Sequence, residues 1–298
     1  MKKKIKSVIL FLARFIISFG LLLYLLKKTE WDKLFLVLKN LSPIYYVLAF
    51  TCVLSFQTLV ALRWKKICKV WGFEKPLSFY LKGYLMSLSL NTVFPGIVAG
   101  DTLRAGLLIK EGLHWKKASM SLLFDRGYGL FGIIVILSLS LPLYGDFLPP
   151  TLKQTLFLII YSAILGFFLI NLLGKKFFPK IQNPETLKPL FFPQNLIPIV
   201  LGFVVQVFFV LQYVFLSKAL FLSLPLRVLF VVIPIVSFLS ALPLSISGLG
   251  VREGTLSYFL HLLGYPLEYG VALGLLGYSL ILISAIPGIL LYLTERWR

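Results

Sequence analysis

The chain has 298 residues, of which 59% are hydrophobic and 14% are charged, and its mean hydropathy is +0.92. Soluble domains carry about 25% charged residues, so this composition excludes an ordinary soluble globular protein. The formal net charge is +19, but most basic residues lie in short loops between apolar runs, which is typical of membrane topology signals and not of nucleic-acid binding.

Six apolar runs have the length of about 20 residues that crosses the hydrocarbon core of a bilayer. They predict membrane spans at residues 7–26, 43–62, 118–141, 152–173, 196–217 and 267–293. The first run is too long for the core of a signal peptide and no small-residue cleavage site follows it, so we expect it to be retained. The sequence predicts an all-α polytopic membrane protein that forms a single transmembrane domain over residues 1–298.

Two further apolar regions, residues 77–109 and 226–263, are interrupted near their middles. The residues that break them are Pro95, Gly100, Pro243, Gly248 and Gly250. Non-helical backbone at membrane depth is tolerated only where protein or a water-filled cavity satisfies it. We therefore predict two re-entrant or broken helical hairpins in addition to the six spans. The alternative is that both regions cross the membrane, which gives eight spans.

The two halves of the chain repeat one another at an offset of 148 residues. This offset places Pro95 on Pro243 and Arg104 on Arg252, and it superposes four apolar elements. The pattern predicts two internal repeats, at about residues 1–147 and 149–298.

The distribution of Lys and Arg predicts how the halves are oriented. With a cytoplasmic N-terminus, and with each hairpin returning to the side it entered, the cytoplasmic segments hold 18 basic residues and the outer segments hold 7. This split follows the positive-inside rule and gives the repeats inverted topology, with both termini cytoplasmic. We expect the basic loops to meet anionic phospholipids.

Six charged residues lie within or against apolar stretches, where a charge costs about 2.5–3.5 kcal/mol at the bilayer centre. They must be paired or must line a wet cavity; they are Asp101, Arg104, Asp125, Arg126, Arg252 and Glu253. We expect Asp101 to cap a helix that follows Gly100, with Arg104 on the same face. Arg252 and Glu253 are adjacent, so we expect them to point apart and to find partners on other elements. A structural ion network and a substrate site are both open.

Glycine-rich sequence before Arg252 suggests an anion site. A helix that starts after Gly248 and Gly250 presents free N–H groups, and arginine binds phosphate through two donors. The alternative is that these glycines only break the helix. Farther on, Gly270 and Gly274 are spaced for a helix-contact face. Two cysteines, two isolated histidines and the lack of a phosphate-loop motif predict no metal site, no cofactor and no ATP motor.

These motifs resemble a known family. The first interrupted region contains Asn91, Pro95, Gly100, Asp101 and Arg104, the pair Asp125-Arg126 follows it, and the second interrupted region contains the segment 243–254. Together these motifs resemble the lysylphosphatidylglycerol synthase transmembrane family. This family is the flippase-like membrane region of the multiple peptide resistance factor. The resemblance implies a prokaryotic membrane protein. In the two-domain versions this region moves an aminoacylated phospholipid to the outer leaflet, and a soluble domain makes the lipid. No such domain lies within these 298 residues, so we expect this chain not to synthesise the lipid.

Three hypotheses follow. The first is a flippase or scramblase for a phospholipid or a polyprenyl-phosphate-linked lipid, in which Arg104 and Arg252 hold the phosphate while Asp101, Asp125 and Glu253 orient them. The second is a membrane-embedded transferase with Asp101 or Glu253 as general base. The third is a membrane partner of a separate glycosyltransferase or synthetase. We expect a transporter and not an enzyme, in the cytoplasmic membrane; a homo-oligomer is one possible assembly.

Overall fold

The computed structural model describes residues 27–93, 98–177, 184–241 and 248–295, together with residues 20 and 23. Within these ranges all regular secondary structure is helical and no strand occurs. Apart from residues 20 and 23, the predicted span 7–26 lies outside the described residues, and so do the break residues Pro95 and Pro243.

The described helices follow one another with short connections. In chain order they are α1 (Trp31–Lys39), α2 (Pro43–Lys69), α3 (Leu77–Val93), α4 (Val98–Lys110), α5 (Trp115–Tyr144), α6 (Pro150–Phe177), α7 (Leu196–Ala219), α8 (Leu226–Ala241), α9 (Val251–Leu262) and α10 (Leu267–Glu295). A 3₁₀ helix, Pro184–Leu190, lies between α6 and α7. Among the described residues, α2, α5, α6, α7 and α10 are long and apolar enough to cross a membrane. They coincide with five of the six predicted spans, and the prediction of an all-helical membrane protein is confirmed.

Each of the two interrupted regions consists of two separate helices, as the proline and glycine pattern predicts. The first region forms α3 and α4, and the second forms α8 and α9. Gly248 and Gly250 have φ angles of 78° and 79°, in the left-handed region that favours glycine. Moving α3 by the predicted offset gives residues 225–241, which matches the bounds of α8 to within one residue. The repeat and the number of membrane crossings stay predictions.

The open ends of both hairpins are held together. Lys75, before α3, forms an ion pair with Glu111, which follows α4. Tyr265, after α9, donates a hydrogen bond of 3.3 Å from its hydroxyl to the backbone oxygen of Ser223, before α8. Each hairpin therefore begins and ends in the same region of the molecule, which is the geometry that the predicted re-entrant hairpins require.

The base of a hairpin is its open end, and the bases of the two hairpins lie at opposite ends of the bundle. Two contacts show this, because Trp71 and Ser42 lie at opposite ends of α2. At the first, Trp71 donates from its indole N–H to the backbone oxygen of Glu185 at 2.8 Å. At the second, the backbone N–H of Ser42 donates to the backbone oxygen of Ala219 at 2.9 Å. The loops that we predict to be cytoplasmic contact one another at the first end, and those that we predict to be external contact one another at the second.

Close helix contacts fix the middle of the bundle. A Cβ atom added at Gly132 on α5 would lie 2.4 Å from the backbone oxygen of Gly202 on α7, so these two helices touch through their backbones. Phe56 on α2 packs edge to face on Phe209 of α7, with ring centroids 5.9 Å apart. The helix α6 lies at the periphery, because only 6% of its most apolar stretch is buried against the rest of the protein.

Two features differ from the prediction. Residues 31–39 form the helix α1, where we expected only an outer loop; Leu34 is its buried residue, and its first and last turns carry Asp32 and Lys39, which complement the helix dipole. The second difference is that α2 continues seven residues past the predicted end of its span, to Lys69.

Candidate functional site

Two arginines share one buried carboxylate. Asp125 on α5 is 3% exposed, and its Oδ1 accepts a hydrogen bond of 2.8 Å from Arg63 Nε. Its Oδ2 accepts one of 2.9 Å from Arg104 Nη2. Both arginines are 4% exposed. Helices α2, α4 and α5 therefore meet at a single cluster that carries two positive charges and one negative charge.

Two aromatic rings lie close to the guanidinium group of Arg104. Its guanidinium carbon lies 4.1 Å from the centre of the Trp64 ring and 5.8 Å from that of Tyr84. Trp64 is fully buried, and its indole N–H donates to Ser121 Oγ at 3.1 Å. A desolvated cation over an aromatic face is stabilised by the ring quadrupole, so the rings help to hold the charge inside the protein.

A second, more exposed ion pair lies beside this cluster. Arg126 Nη2 is 2.6 Å from Asp101 Oδ2, and the two side chains are 39% and 24% exposed. The prediction that Asp101 caps its helix is wrong, because α4 already begins at Val98 and Asp101 lies in its first turn. Asn91 on α3 instead supplies an acceptor there, since its Oδ1 binds the backbone N–H of Gly100 at 3.0 Å.

Gly100 allows α4 to lie directly against α3. A Cβ atom at this position would be 2.3 Å from Ser87 Oγ and 2.5 Å from the Ser87 backbone oxygen. Any larger residue would push the helices apart. Gly100 was predicted as a break, but it lies inside α4, where its function is close approach.

A cavity of about 290 Å³ joins the two ion pairs. Five of the predicted site residues line it, namely Asn91, Asp101, Arg104, Asp125 and Arg126. Arg63 contributes from α2, and the second half of the chain contributes Val205, Gln206 and Phe209 from α7 and Ser237 from α8. Both halves of the sequence therefore form the wall of one charged cavity.

Arg252 and Glu253 lie elsewhere and pair with each other. Arg252 Nη2 and Nε donate to Glu253 Oε1 at 2.7 and 3.0 Å, and Glu253 Oε2 accepts from the backbone N–H of Gly250 at 2.7 Å. The prediction that these neighbours point apart is wrong: Glu253 turns back to the start of α9, and the long arginine side chain reaches the same carboxylate. The described lining of the cavity includes neither residue.

Glycines on α10 make room for this second pair. A Cβ atom at Gly274 would lie 2.7 Å from Glu253 Cγ, and one at Gly270 would lie 2.3 Å from the Cα atom of Ser257. The predicted glycine face of α10 is therefore a contact with α9 within the chain. The Arg252 guanidinium carbon also lies 5.1 Å from the Tyr278 ring centre.

Sequence reasoning missed Arg63 and Gln206. Arg63 directly follows an apolar run and precedes Trp64, Lys65 and Lys66, so it was counted with the cytoplasmic loop charges. Nothing local distinguishes an arginine that reaches back into the bundle from one that reaches the headgroups. Gln206 is an uncharged residue inside a span, and no spacing marked it.

The fold and the cavity define the class: a multi-pass helical membrane protein with an internal cluster of arginines and carboxylates. Residues 11–288 match the family described as the lysylphosphatidylglycerol synthase TM region, and the chain belongs to this family. The predicted resemblance is thereby confirmed. The family assignment agrees with a role related to membrane lipids.

A relative from Methanocaldococcus jannaschii, the UPF0104 membrane protein MJ1595, is 28% identical over 178 residues. The match covers 57% of this chain and 52% of that protein, so it spans about half the length of the relative. No solved structure matches the chain.

Proposed function

We propose that this protein moves a polar lipid between the two leaflets of a prokaryotic cytoplasmic membrane, as a flippase or scramblase, without converting it chemically. The observation that carries the proposal is the charged cavity that both halves of the chain enclose among apolar helices. Membership of a family named for lysylphosphatidylglycerol synthase supports a lipid as the substrate.

The size of the cavity suits a headgroup and not a whole lipid. Its volume of about 290 Å³ lies at the lower limit of ligand pockets, which hold about 300–1,000 Å³. Phe56, Val60 and Phe209 form apolar parts of its wall. In this proposal the headgroup enters the cavity while the acyl chains stay in the bilayer.

The two hairpins supply the route. Their bases lie at opposite ends of the bundle, as inverted repeats require, and transporters of that design open alternately to the two sides. The partly exposed pair Asp101–Arg126 forms the entrance to the buried cluster around Asp125. The lipid gradient or the membrane potential drives the movement, and both termini lie in the cytoplasm.

The ion pairs of the carboxylates favour lipid transport over a transferase reaction. The transferase hypothesis needs Asp101 or Glu253 as a general base, and each is engaged in an ion pair with an arginine. A general base must instead reach the proton that it removes. A separate lipid-modifying enzyme as a partner is compatible with the transport proposal.

The test is lipid exchange in vesicles. The full chain is reconstituted with an acyl-labelled fluorescent phosphatidylglycerol, and a membrane-impermeant reductant is added from outside. We expect the reductant to bleach the label of both leaflets when the protein is present, and of the outer leaflet alone in protein-free vesicles. Bleaching limited to the outer leaflet with folded wild-type protein would contradict the proposal.

A matched pair of variants on α7 ties the exchange to the cavity. Gln206→Leu removes a polar group from the cavity wall without changing charge, and we expect slower exchange. Gln212 is also buried on α7 but is absent from the described lining, so Gln212→Leu should exchange lipid like the wild type. Equal rates of lipid exchange in the two variants would show that transport does not use this cavity.

A further inference from the structure

We infer that a groove on the outer side of the first hairpin is a fixed binding site for an anionic lipid, separate from the charged cavity. This hairpin groove lies between α3, α4 and the end of α10, and its volume is about 470 Å³. The inference goes beyond the proposed function, because a lipid held here takes no part in transport. It rests on the position of the groove, on the change of its polarity with depth and on its charge.

The hairpin groove and the charged cavity lie on opposite faces of the same hairpin. Residues two positions apart on an α-helix point to nearly opposite sides. On α3, Lys82 and Met86 line the groove, whereas Tyr84, midway between them, lines the cavity. On α4, Leu103 lines the groove and Asp101 lines the cavity. The hairpin itself therefore separates a molecule in the groove from the buried ion cluster.

The polarity of the groove changes from the base of the hairpin toward its tip. Ser78 lies at the start of α3, and Lys110 and Glu111 lie at the end of α4, so the polar lining is near the base. Met86 and Leu103 lie farther along the hairpin and are apolar. A lipid in a bilayer has the same order, with its headgroup at the interface and its chains in the hydrocarbon core. The groove therefore matches a lipid that stands alongside the hairpin.

The charge of the groove favours an anionic headgroup. Among the described lining residues, Lys82 and Lys110 are positive and Glu111 is negative. The carboxylate of Glu111 forms an ion pair with Lys75, which precedes α3, so this pair does not offset the two lining lysines. Lys82 also lies inside α3, within an apolar region where a charge is costly. Lysines at this position attract anionic lipid headgroups.

The far wall of the groove belongs to the last helix of the chain. Tyr292, near the end of α10, lines the groove opposite the hairpin. One turn earlier, a Cβ atom at Gly288 would overlap the backbone oxygen of Leu85 on α3, so α10 and α3 touch through their backbones. A lipid in the groove would thus contact both the first hairpin and α10, and its binding should stabilise the native arrangement of these helices.

The inference is tested by thermal unfolding of the full chain in detergent. The probes are phosphatidylglycerol, phosphatidylcholine with the same acyl chains, and inorganic phosphate. A ligand that binds the native state raises the unfolding midpoint in a saturable way. We expect this with phosphatidylglycerol, and a smaller effect with the zwitterionic lipid and with the free anion. Equal stabilisation by phosphatidylcholine or by inorganic phosphate would overturn the inference.

A double variant separates the groove from any other lipid contact. In Lys82→Gln/Lys110→Gln, the half-maximal concentration of phosphatidylglycerol should rise about tenfold or more, because two charges beside the headgroup are lost. The matched control is Lys66→Gln/Lys116→Gln, which removes two positive charges outside the described lining of the groove. We expect the control to respond like the wild type. An equal loss in both double variants would show that only the overall charge matters, and would contradict a specific site.

Cross-linking locates the lipid directly. An anionic lipid with a photoactivatable group in its acyl chain is irradiated with the protein, and the labelled peptides are identified. We expect labels on α3, α4 and the end of α10. Leu103→Trp, which fills the apolar part of the groove without changing charge, should reduce this labelling, and it gives a second measurement if the double lysine variant fails to fold. Labels confined to α5 and α7, or a groove covered by self-association of the chain without lipid, would overturn the inference.

The groove and transport can fail separately. Wild-type protein that is labelled at the groove and exchanges no lipid in vesicles would contradict transport and leave the groove as a lipid site. Lipid exchange by protein that is never labelled at the groove would contradict the groove site and leave transport.

Discussion

The guanidinium carbon of Arg104 lies 4.1 Å from the centre of the Trp64 ring, although the two residues are 40 positions apart in the sequence. Arg63, the neighbour of Trp64, binds the same carboxylate as Arg104. One turn of α2 therefore supplies both the aromatic support for Arg104 and the second cation of the buried cluster.

Replacing Trp64 by leucine should destabilise the protein by about 3 kcal/mol, because the change creates a cavity and removes the cation–π contact. Unfolding in detergent measures the effect. The control is Trp115→Leu, since Trp115 is 57% exposed and its replacement should change stability by about 0.5 kcal/mol or less. Losses of equal size in the two variants would show that Trp64 does not support the cluster.

Asp125→Asn should be strongly destabilising, by about 3–5 kcal/mol, because it leaves two buried arginines without their anion. Asp146→Asn is the control: Asp146 pairs with Lys153 at 2.7 Å, but its side chain is 86% exposed, and such surface pairs contribute about 0–1 kcal/mol. Adding Arg63→Gln to Asp125→Asn should restore part of the lost stability, because one unpaired cation is removed. Additive losses in a double-mutant cycle would argue against a shared cluster.

Two glycines on α4 give opposite predictions for alanine. Gly100→Ala should cost about 1–3 kcal/mol, because its methyl group would overlap Ser87. Gly106 has no other described atom within 4 Å of the position of a Cβ atom, so Gly106→Ala should stabilise the helix by about 0.5–1 kcal/mol. Thermal unfolding of both variants checks the prediction, and a neutral Gly100→Ala variant would contradict the close contact of α3 and α4.

The ion pair that closes the first hairpin should be sensitive to acid. The hydrogen bond and positive charge of Lys75 lower the pKa of Glu111 from its ordinary value of 4.5. A lowered carboxyl pKa means that the pair contributes fully above the ordinary pKa and is lost as the pH falls through the lowered value. In Lys75→Gln the pKa of Glu111 should rise toward 4.5, as measured by the carboxyl-carbon NMR shift during titration.

Glu185 provides the internal control for that titration. Lys188 and Lys117 lower its pKa, and neither residue changes in the Lys75→Gln variant. Its titration should therefore stay as in the wild type. A Glu111 titration that is also unchanged would show that Lys75 does not hold the hairpin base in solution.

Local sequence patterns were sufficient to predict a helical membrane protein, five of its candidate spans and both helix interruptions. Apolar runs of about 20 residues and proline or glycine breaks act on neighbouring residues, so their effect is visible along the chain. The same reasoning selected the polar residues at membrane depth because burial makes unpaired charge costly there. It selected Arg104, Asp125 and Arg126 as site candidates but did not predict which charges pair.

Only the packing of the helices decided which charges meet. Arg63 joined the cluster because α2 continues as a helix to Lys69, whereas Arg252 took its own neighbour Glu253 as partner. Those choices depend on how closely backbones approach, as at Gly100 against α3 and at Gly274 against α9. Such distances are set by contacts between residues far apart in sequence, and no local pattern contains them.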